Sequence, residues 1–329
     1  MKQTKNDKGI QIRRRIKAFF GRWIGLRRAW WRYVKNANCD YYASQKRFIY
    51  VLTNNYHVIE KCLAMPNFEP GHGMERVEFV VGDLFKYREL GFDLQHPQYI
   101  AAMQALQEYD QVHKAMGYKL PEGLQADIDR LLVGTSIPEH HQPHVTRKDF
   151  FAHMNGGFEE FARSRHSVRA YSDKNIEDEI VRAVVDLVRT TPTSCNRQPN
   201  KTYVVGDKEK IKQIITWQGG GRGFGENANK LFVITTAVEA YGNDEYNEVF
   251  KVGGMYAMNL LYTLHAYQIG ACALNWKGEK KTDEKLRALL GVPDNEEIMM
   301  VIAAGYPPEE FTYVASGRNE LDESLVIVK

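Results

Sequence analysis

Apolar residues recur at steps of three and four through the first half of the chain, and the texture changes near residue 150. In YIAAMQALQEYDQVHKAM, Ile100, Met103, Leu106, Tyr109, Val112 and Met116 fall along one side of a 3.6-residue helix. Gly and Pro interrupt this helical texture at MPNFEPGHG, at HPQ and at GYKLPEG. The stretch GTSIPEHHQPHVTRKD is polar and rich in His and Pro, and reads as a linker. Beyond it, NIEDEIVRAVVDLVRTTP carries Ile176, Ile180, Ala183, Val184, Leu187 and Val188 on one face, with acids in the first turn and a proline past the end. EKIKQIITW is also helical, whereas KTYVVG, KLFVITT and EIMMVIAAG are short β-rich runs. VFKVGGMYAMNLLYTLHAYQIG predicts a long apolar helix, on which Gly253, Gly254 and Ala257 permit close packing within the fold or between subunits. The segments expected are a basic aromatic arm at 1–38, a helical extension at 39–135, a linker at 136–150 and an α+β domain at 151–329.

Composition adds one asymmetry. The 329 residues carry a formal charge of +3. Twelve Lys or Arg against the single Asp7 make the first 38 residues +11, so the remainder carries −8. RRRIKAFFGRWIGLRRAWWRYVK interleaves arginine with Phe19, Phe20, Trp23, Trp30 and Trp31, and has no apolar run of the about 18 residues a spanning helix needs. It is expected to be an amphipathic arm packed on its own protein or a partner subunit; contact with an anionic membrane surface through residues 10–35 is the alternative, and nucleic acid is not expected. Cysteines at 39, 62, 195 and 272 show no metal-ligand or disulfide spacing, which suits a reducing, cytoplasmic setting, at most peripheral to the inner face of a membrane.

Candidate chemistry sits at SRHSVRAYS and TPTSCNRQPN. His166 beside Ser167 invites a nucleophilic reading, but no G-x-S-x-G elbow surrounds the serine. Arg165 and Arg169 offer forked donors, Ser167 a hydroxyl and His166 a ring N–H, a set suited to phosphate. The second stretch crowds hydroxyls and amides on a proline-stiffened loop that can read the edge of a heterocycle. QGGGRGFGENANK contains G-x-G-x-x-A, but a helix precedes it and a strand follows, the reverse of a dinucleotide fingerprint; a loop near an active-site mouth is expected. His140, His141 and His144 in HHQPH could meet a metal, yet the proline prevents a shared helical face and no metal site is expected.

Taken in order, R-H-S-x-R-A-Y, P-T-S-x-N-x-Q-P, an apolar helix, a G-A-C turn and A-x-G-Y-P resemble the FMN-dependent nitroreductase family over about Phe158 to Lys329. The resemblance implies an interlocked homodimer whose sheet is flanked by helices, with FMN bound at the subunit interface and NADH or NADPH as electron donor. A small organic acceptor, nitroaromatic or quinone-like, would be reduced in a ping-pong cycle. Arg165, Ser167 and Arg169, with His166, would hold the FMN phosphate and ribityl chain. Pro192, Thr193, Ser194, Asn196 and Gln198 would approach from the partner subunit. Asn275, Trp276, Lys277 and Gly278 would pass near flavin N5, Gly305 would end the neighbouring strand, and Arg318 would be a second phosphate ligand. Chemistry at the flavin needs no catalytic side chain. Asn200 departs from an aromatic commonly found there, and ALNW from a proline-containing segment. NYHVIEKCLAMPNFEPGHG resembles the extension of nitroreductase-like proteins of bacterial polysaccharide loci; it reads as helix with polar pairs among His57, Glu60 and Lys61, or as a lid. A specialised biosynthetic flavin dehydrogenase and a membrane-associated FMN-binding scaffold stay open as alternatives.

Overall fold

The computed structural model describes residues 2–37, 40–135, 137–242 and 245–328; for 2–10, 14, 18, 22, 24, 25 and 28 the description is limited to backbone. The basic arm is one helix, α1 (Lys2–Asn36). Four helices follow: α2 (Gln45–Leu63), α3 (Met74–Glu89), α4 (Pro97–Ala115) and α5 (Glu122–Leu132). Their starts follow local chemistry. Ser44 Oγ accepts the Arg47 N–H at 3.3 Å ahead of α2, and His96 Nδ1 accepts the Gln98 N–H at 3.2 Å ahead of α4, whose first residue is Pro97. The four pack on an aromatic core that includes Phe48, Tyr56, Tyr87, Tyr99 and Tyr109, with the Tyr87 and Tyr99 rings stacked 5.0 Å apart.

The expected linker holds regular structure. Strand β1 (His144–Thr146) leads into the single turn α6 (Arg147–Phe150), and α7 (Phe158–Ser164) follows. The remaining elements run α8 (Asp178–Val188), β2 (Asn200–Val205), α9 (Lys208–Gln218), β3 (Lys230–Ala237), α10 (Tyr246–Ala266), β4 (Gly270–Asn275), α11 (Lys280–Leu290), β5 (Glu296–Gly305) and β6 (Glu310–Thr312). The expected strands at KTYVVG, KLFVITT and EIMMVIAAG are β2, β3 and β5. GAC, expected as a turn, instead opens β4. Burial explains the difference: Ala271 and Cys272 are enclosed by the fold, and small residues at such positions carry no sequence-level strand signal.

Two compact units result, and they divide the chain differently from the sequence-based segments. One comprises 38–170 together with 307–329; the other comprises 171–306 together with 1–37. In the first, β6 returns to pair antiparallel with β1, His144 opposite Thr312 and Thr146 opposite Glu310. Gln142 takes two bonds from its amides to the buried Glu108 carboxylate at 2.8 and 3.0 Å and accepts the Ala315 N–H at 3.1 Å. The C-terminal segment is thereby tied to α4.

The second unit is an antiparallel sheet in the order β2-β3-β5-β4. Ile176, Val184 and Val188 around α8, and Tyr256, Ala257, Leu260 and Leu264 of α10, form a core with Phe232, Ile234 and Ile302 of the sheet. A Cβ on Gly253 would stand 2.5 Å from Met299 Cγ and 2.9 Å from Thr236 Oγ1, whereas one on Gly254 would meet nothing within 4 Å. The small-residue stretch thus serves close packing of α10 on the sheet through Gly253.

Candidate functional site

The predicted residues fall into separate groups, one on the first unit and three on the second. On the first, α7 ends at Ser164, Arg165 has extended backbone and Ser167 sits in an isolated bridge. Val168 is fully buried and Arg169 nearly so. His166 donates its Nδ1–H to the Ser164 carbonyl at 3.1 Å, and its ring lies 4.5 Å from that of Tyr313. The N–H considered for phosphate is therefore engaged within the chain at Nδ1. Burial pushes the imidazole pKa down, and the charges of Arg165 and Arg318 add to that shift. Arg318 itself is exposed, bonded to the Ser316 carbonyl. Two guanidinium groups from distant parts of the chain thus act on one histidine.

On the second unit, the loop from Pro192 to Gln198 joins α8 to β2. Cys195, Asn196 and Gln198 have φ of 55°, 54° and 51°, so three of four consecutive residues are left-handed without being glycine. Such backbone costs on the order of 1–3 kcal/mol per residue and persists only where its surroundings enforce it. The Thr193 hydroxyl accepts the Gln198 N–H at 3.0 Å, and the Thr193 carbonyl accepts the Asn196 N–H at 2.9 Å. Arg197 reaches the Ala240 carbonyl at 3.1 Å and the Glu245 carboxylate at 2.8 Å. Ser194 donates to Glu248, whose pKa is held below the usual carboxylate range by its bonds to Lys251 and Ser194. Behind the loop lies a cavity of about 130 Å³ lined by Thr191, Thr193, Gln198, Asn200 and Tyr256, among others. Asn200 is part of the frame: its Oδ1 accepts from Thr236 Oγ1 at 2.8 Å and its Nδ2 donates to the Val252 carbonyl at 3.4 Å, joining β2, β3 and α10.

The third group leaves β4. Trp276 is buried, and its Nε1–H donates to Asp283 Oδ1 at 2.9 Å. Arg287 completes the link, bonding Asp283 Oδ2 at 2.6 Å and the Glu296 carbonyl at 2.7 Å. The indole is thus anchored to α11, and Lys277 and Gly278 are exposed beside it, Gly278 with φ +66°. The glycine cluster adjoins this segment. Gly219 caps α9 in the left-handed region, and Gln218 accepts the Gly220 and Gly221 N–H groups while donating to the Asn275 carbonyl at 2.8 Å.

Gly305 ends β5 where Asn229 crosses over. Asn229 Oδ1 accepts the Tyr306 N–H at 3.1 Å and its Nδ2 donates to the Ser172 carbonyl at 2.9 Å; a Cβ on Gly305 would stand 2.6 Å from that Oδ1. The sequence analysis did not assign Asn229, Asp283, Glu248 or Arg287. Asn229 lies inside the glycine-rich string noted there, and the others carry no motif.

Sheet register separates the Pro192–Gln198 loop from Gly305. Asn200 pairs with Thr236 and Thr236 with Glu297, so the Pro192–Gln198 loop lies at the end of the sheet where β5 begins. Gly305 pairs with Gly270 at the other end. The eight residue steps from Glu297 to Gly305 span roughly 26 Å at about 3.3 Å each. A hollow of about 910 Å³ between α8 and β2 is lined by Asp178, Arg182, Asp186, Arg189 and Lys230 among others and by none of the predicted residues.

Residues 162–219 and 215–306 match the model of the nitroreductase family. The match covers residues 162–306 and leaves the helical extension outside it. It is 28% identical over 149 residues to a protein of Archaeoglobus fulgidus provisionally named NADH dehydrogenase/NAD(P)H nitroreductase, covering 45% of this chain and 83% of the relative. It is 25% identical over 197 residues to human iodotyrosine deiodinase 1, covering 52% of this chain and 68% of that protein. Among solved structures, it is similar to an FMN-dependent nitroreductase of Clostridium difficile at 23% identity and a TM-score of 0.44, covering 51% of this chain and 98% of that one. Among the described residues no helix is long and apolar enough to cross a membrane.

Proposed function

We propose that this protein is an FMN-dependent oxidoreductase that takes electrons from NADH or NADPH and delivers them to a small organic acceptor, acting as a homodimer in a ping-pong cycle. The observation that carries the reading is the Pro192–Gln198 loop. Three left-handed non-glycine residues, held by Thr193 and Arg197, are a costly way to connect a helix to a strand. They present Ser194, Asn196 and Gln198 as uncharged polar groups, the chemistry that matches a flavin's donor and acceptor edge.

The donor set suits FMN. Arg165, Ser167 and Arg169 would hold its phosphate, with Arg318 as a further cation. His166 would support the Arg165–Arg169 segment through Ser164 and Tyr313. Asn275, Lys277 and Gly278, with the backbone of Trp276, would border the ring, and Gly305 would lie at the neighbouring strand end. Bound FMN would supply the hydride and electron chemistry, and the chain's own residues would bind, orient and shield it.

Homodimer formation answers the register. A single sheet holds the Pro192–Gln198 loop and Gly305 at opposite ends, and a second copy would bring one chain's loop to the other chain's Gly305. α10 offers a surface for it: Tyr246, Phe250 and Met258, with Gly254 between them, recur at four-residue steps and are exposed.

Purified protein is expected to be yellow and to release FMN on denaturation. Arg165→Ala and Arg169→Ala are each expected to weaken FMN binding by about 1.5–3 kcal/mol, the loss of a charge-assisted bond. Fluorescence titration of the apoprotein measures this, and unchanged affinity in both variants would overturn the anchor. Stopped-flow reduction by NADH and NADPH, followed by reoxidation with a quinone, a nitroaromatic and an iodotyrosine, defines donor and acceptor. Retained FMN with no reduction by either nucleotide would favour the scaffold reading.

A further inference from the structure

The arm helix poses a separate question. Along α1, Ile12, Ile16, Phe19, Trp23, Leu26 and Trp30 follow one another at alternating steps of four and three, with Tyr33 and Val34 completing the row. These positions form one stripe along a helix. Every member is exposed, between 43% and 66%. Neighbouring Phe20 and Trp31 widen the stripe and are exposed as well. Lys17, Arg32 and Lys35 occupy the opposite face, and Arg13, Arg15 and Arg27 run along the two flanks. The Arg27 guanidinium lies 5.2 Å from the Trp23 ring centroid, so its stem follows the edge of the apolar stripe and its charge stands beside it.

The spacing alone would also suit a coiled coil with a second copy of the chain. Charge decides against it. A second helix laid stripe to stripe would set flanking arginines against flanking arginines, and Asp7 is the sole acid in the segment to relieve them. A stripe bordered by cations and rich in tryptophan matches a surface that is apolar below and negative above.

We infer that α1 lies in the plane of an anionic phospholipid surface, with Ile16, Phe19, Trp23 and Trp30 among the acyl chains and Arg13, Arg15, Arg27 and Arg32 among the phosphates. The helix would hold a redox protein at a bilayer without crossing it. This inference is independent of the FMN reading, since it uses no residue assigned to the flavin.

Co-sedimentation of the full-length protein with phospholipid vesicles tests it. Binding is expected to phosphatidylcholine vesicles containing about a third phosphatidylserine, and to weaken by about ten-fold or more on pure phosphatidylcholine or in about 0.5 M salt. Three of the five tryptophans lie on α1, so binding should also shift their emission to the blue. Trp23→Ala/Trp30→Ala should lose about ten-fold in partition while its circular dichroism spectrum stays that of the parent. Absence of vesicle binding, binding indifferent to lipid charge, or binding unaffected by the double substitution would overturn the inference. So would tighter binding to a DNA duplex than to the anionic vesicles, or lipid-independent crosslinking of two copies through Trp23→Cys.

Discussion

Helices α1 and α2 have similar patterns and opposite fates. On α2, Phe48, Leu52, Tyr56 and Ile59 form a stripe at steps of four, four and three, and none is more than 2% exposed. On α1, a stripe of the same spacing is about half exposed throughout. Amphipathic periodicity reports that a face prefers to leave water; it does not report what covers that face. The cover must be read from the flanks. α2 is flanked by groups that find partners within its own unit, such as Thr53 with Gln98 at 3.2 Å and Asn55 with Asp83 at 3.1 Å. α1 is flanked by a single sign of charge.

Stability measurements should separate the two faces most widely. Leu52→Ala is expected to cost about 2–5 kcal/mol in urea unfolding, since it removes buried methyl groups from a filled core, whereas Trp23→Ala in lipid-free solution should change stability by less than about 0.5 kcal/mol. A comparable loss from both would mean that α1 is packed in solution.

A finer version of the comparison lies on α10, where adjacent glycines face opposite ways. Gly253→Val should cost about 1–3 kcal/mol, because Met299 and Thr236 occupy the space its side chain needs. Gly254→Ala should alter stability by no more than about 1 kcal/mol, in the stabilising direction expected from helix propensity. Thermal unfolding of the pair distinguishes a helix face fixed on the sheet from one open to a second subunit.

The smallest effect concerns a ring that is only half covered. His166 has its pKa lowered on folding, so the unfolded chain binds more protons as pH falls below its ordinary value of about 6.5. Stability should therefore decline on acidification from about pH 6.5 downward, and His166→Gln should flatten that part of the profile. An unchanged slope in the variant would place the acid sensitivity elsewhere.

Much of the fold was legible because apolar periodicity survives in long elements. α4, α8, α9 and α10 follow their patterns, and β2, β3 and β5 carry the β-branched runs expected of strands. β4 was hidden because Gly270, Ala271 and Cys272 are small rather than branched. β1 and β6 were hidden because three residues hold too little pattern, and because their pairing joins positions 168 residues apart at His144 and Thr312. The two polar motifs were visible as composition. The left-handed backbone at Cys195, Asn196 and Gln198 was not, since none is glycine. Trp276 looked like a contact for a ligand, and only the position of Asp283 on the next helix reveals that its indole is engaged in the fold. Asn200, a departure from the family pattern in sequence, has a structural reason in its bonds to Thr236 and Val252.

The pairing of β1 with β6 also has a consequence for synthesis. His144–Thr146 leaves the ribosome long before Glu310–Thr312 exists, and in the interval the chain produces all four strands of the other sheet. The aromatic helical unit is begun before the sheet and completed after it. Until the return segment arrives, β1 presents an unpaired edge and Gln142 awaits the Ala315 amide. Closing so long a loop is entropically costly and intrinsically slow. Translation order therefore makes the helical unit the one that depends on the nascent chain being finished, while the enclosed sheet can close on residues already made.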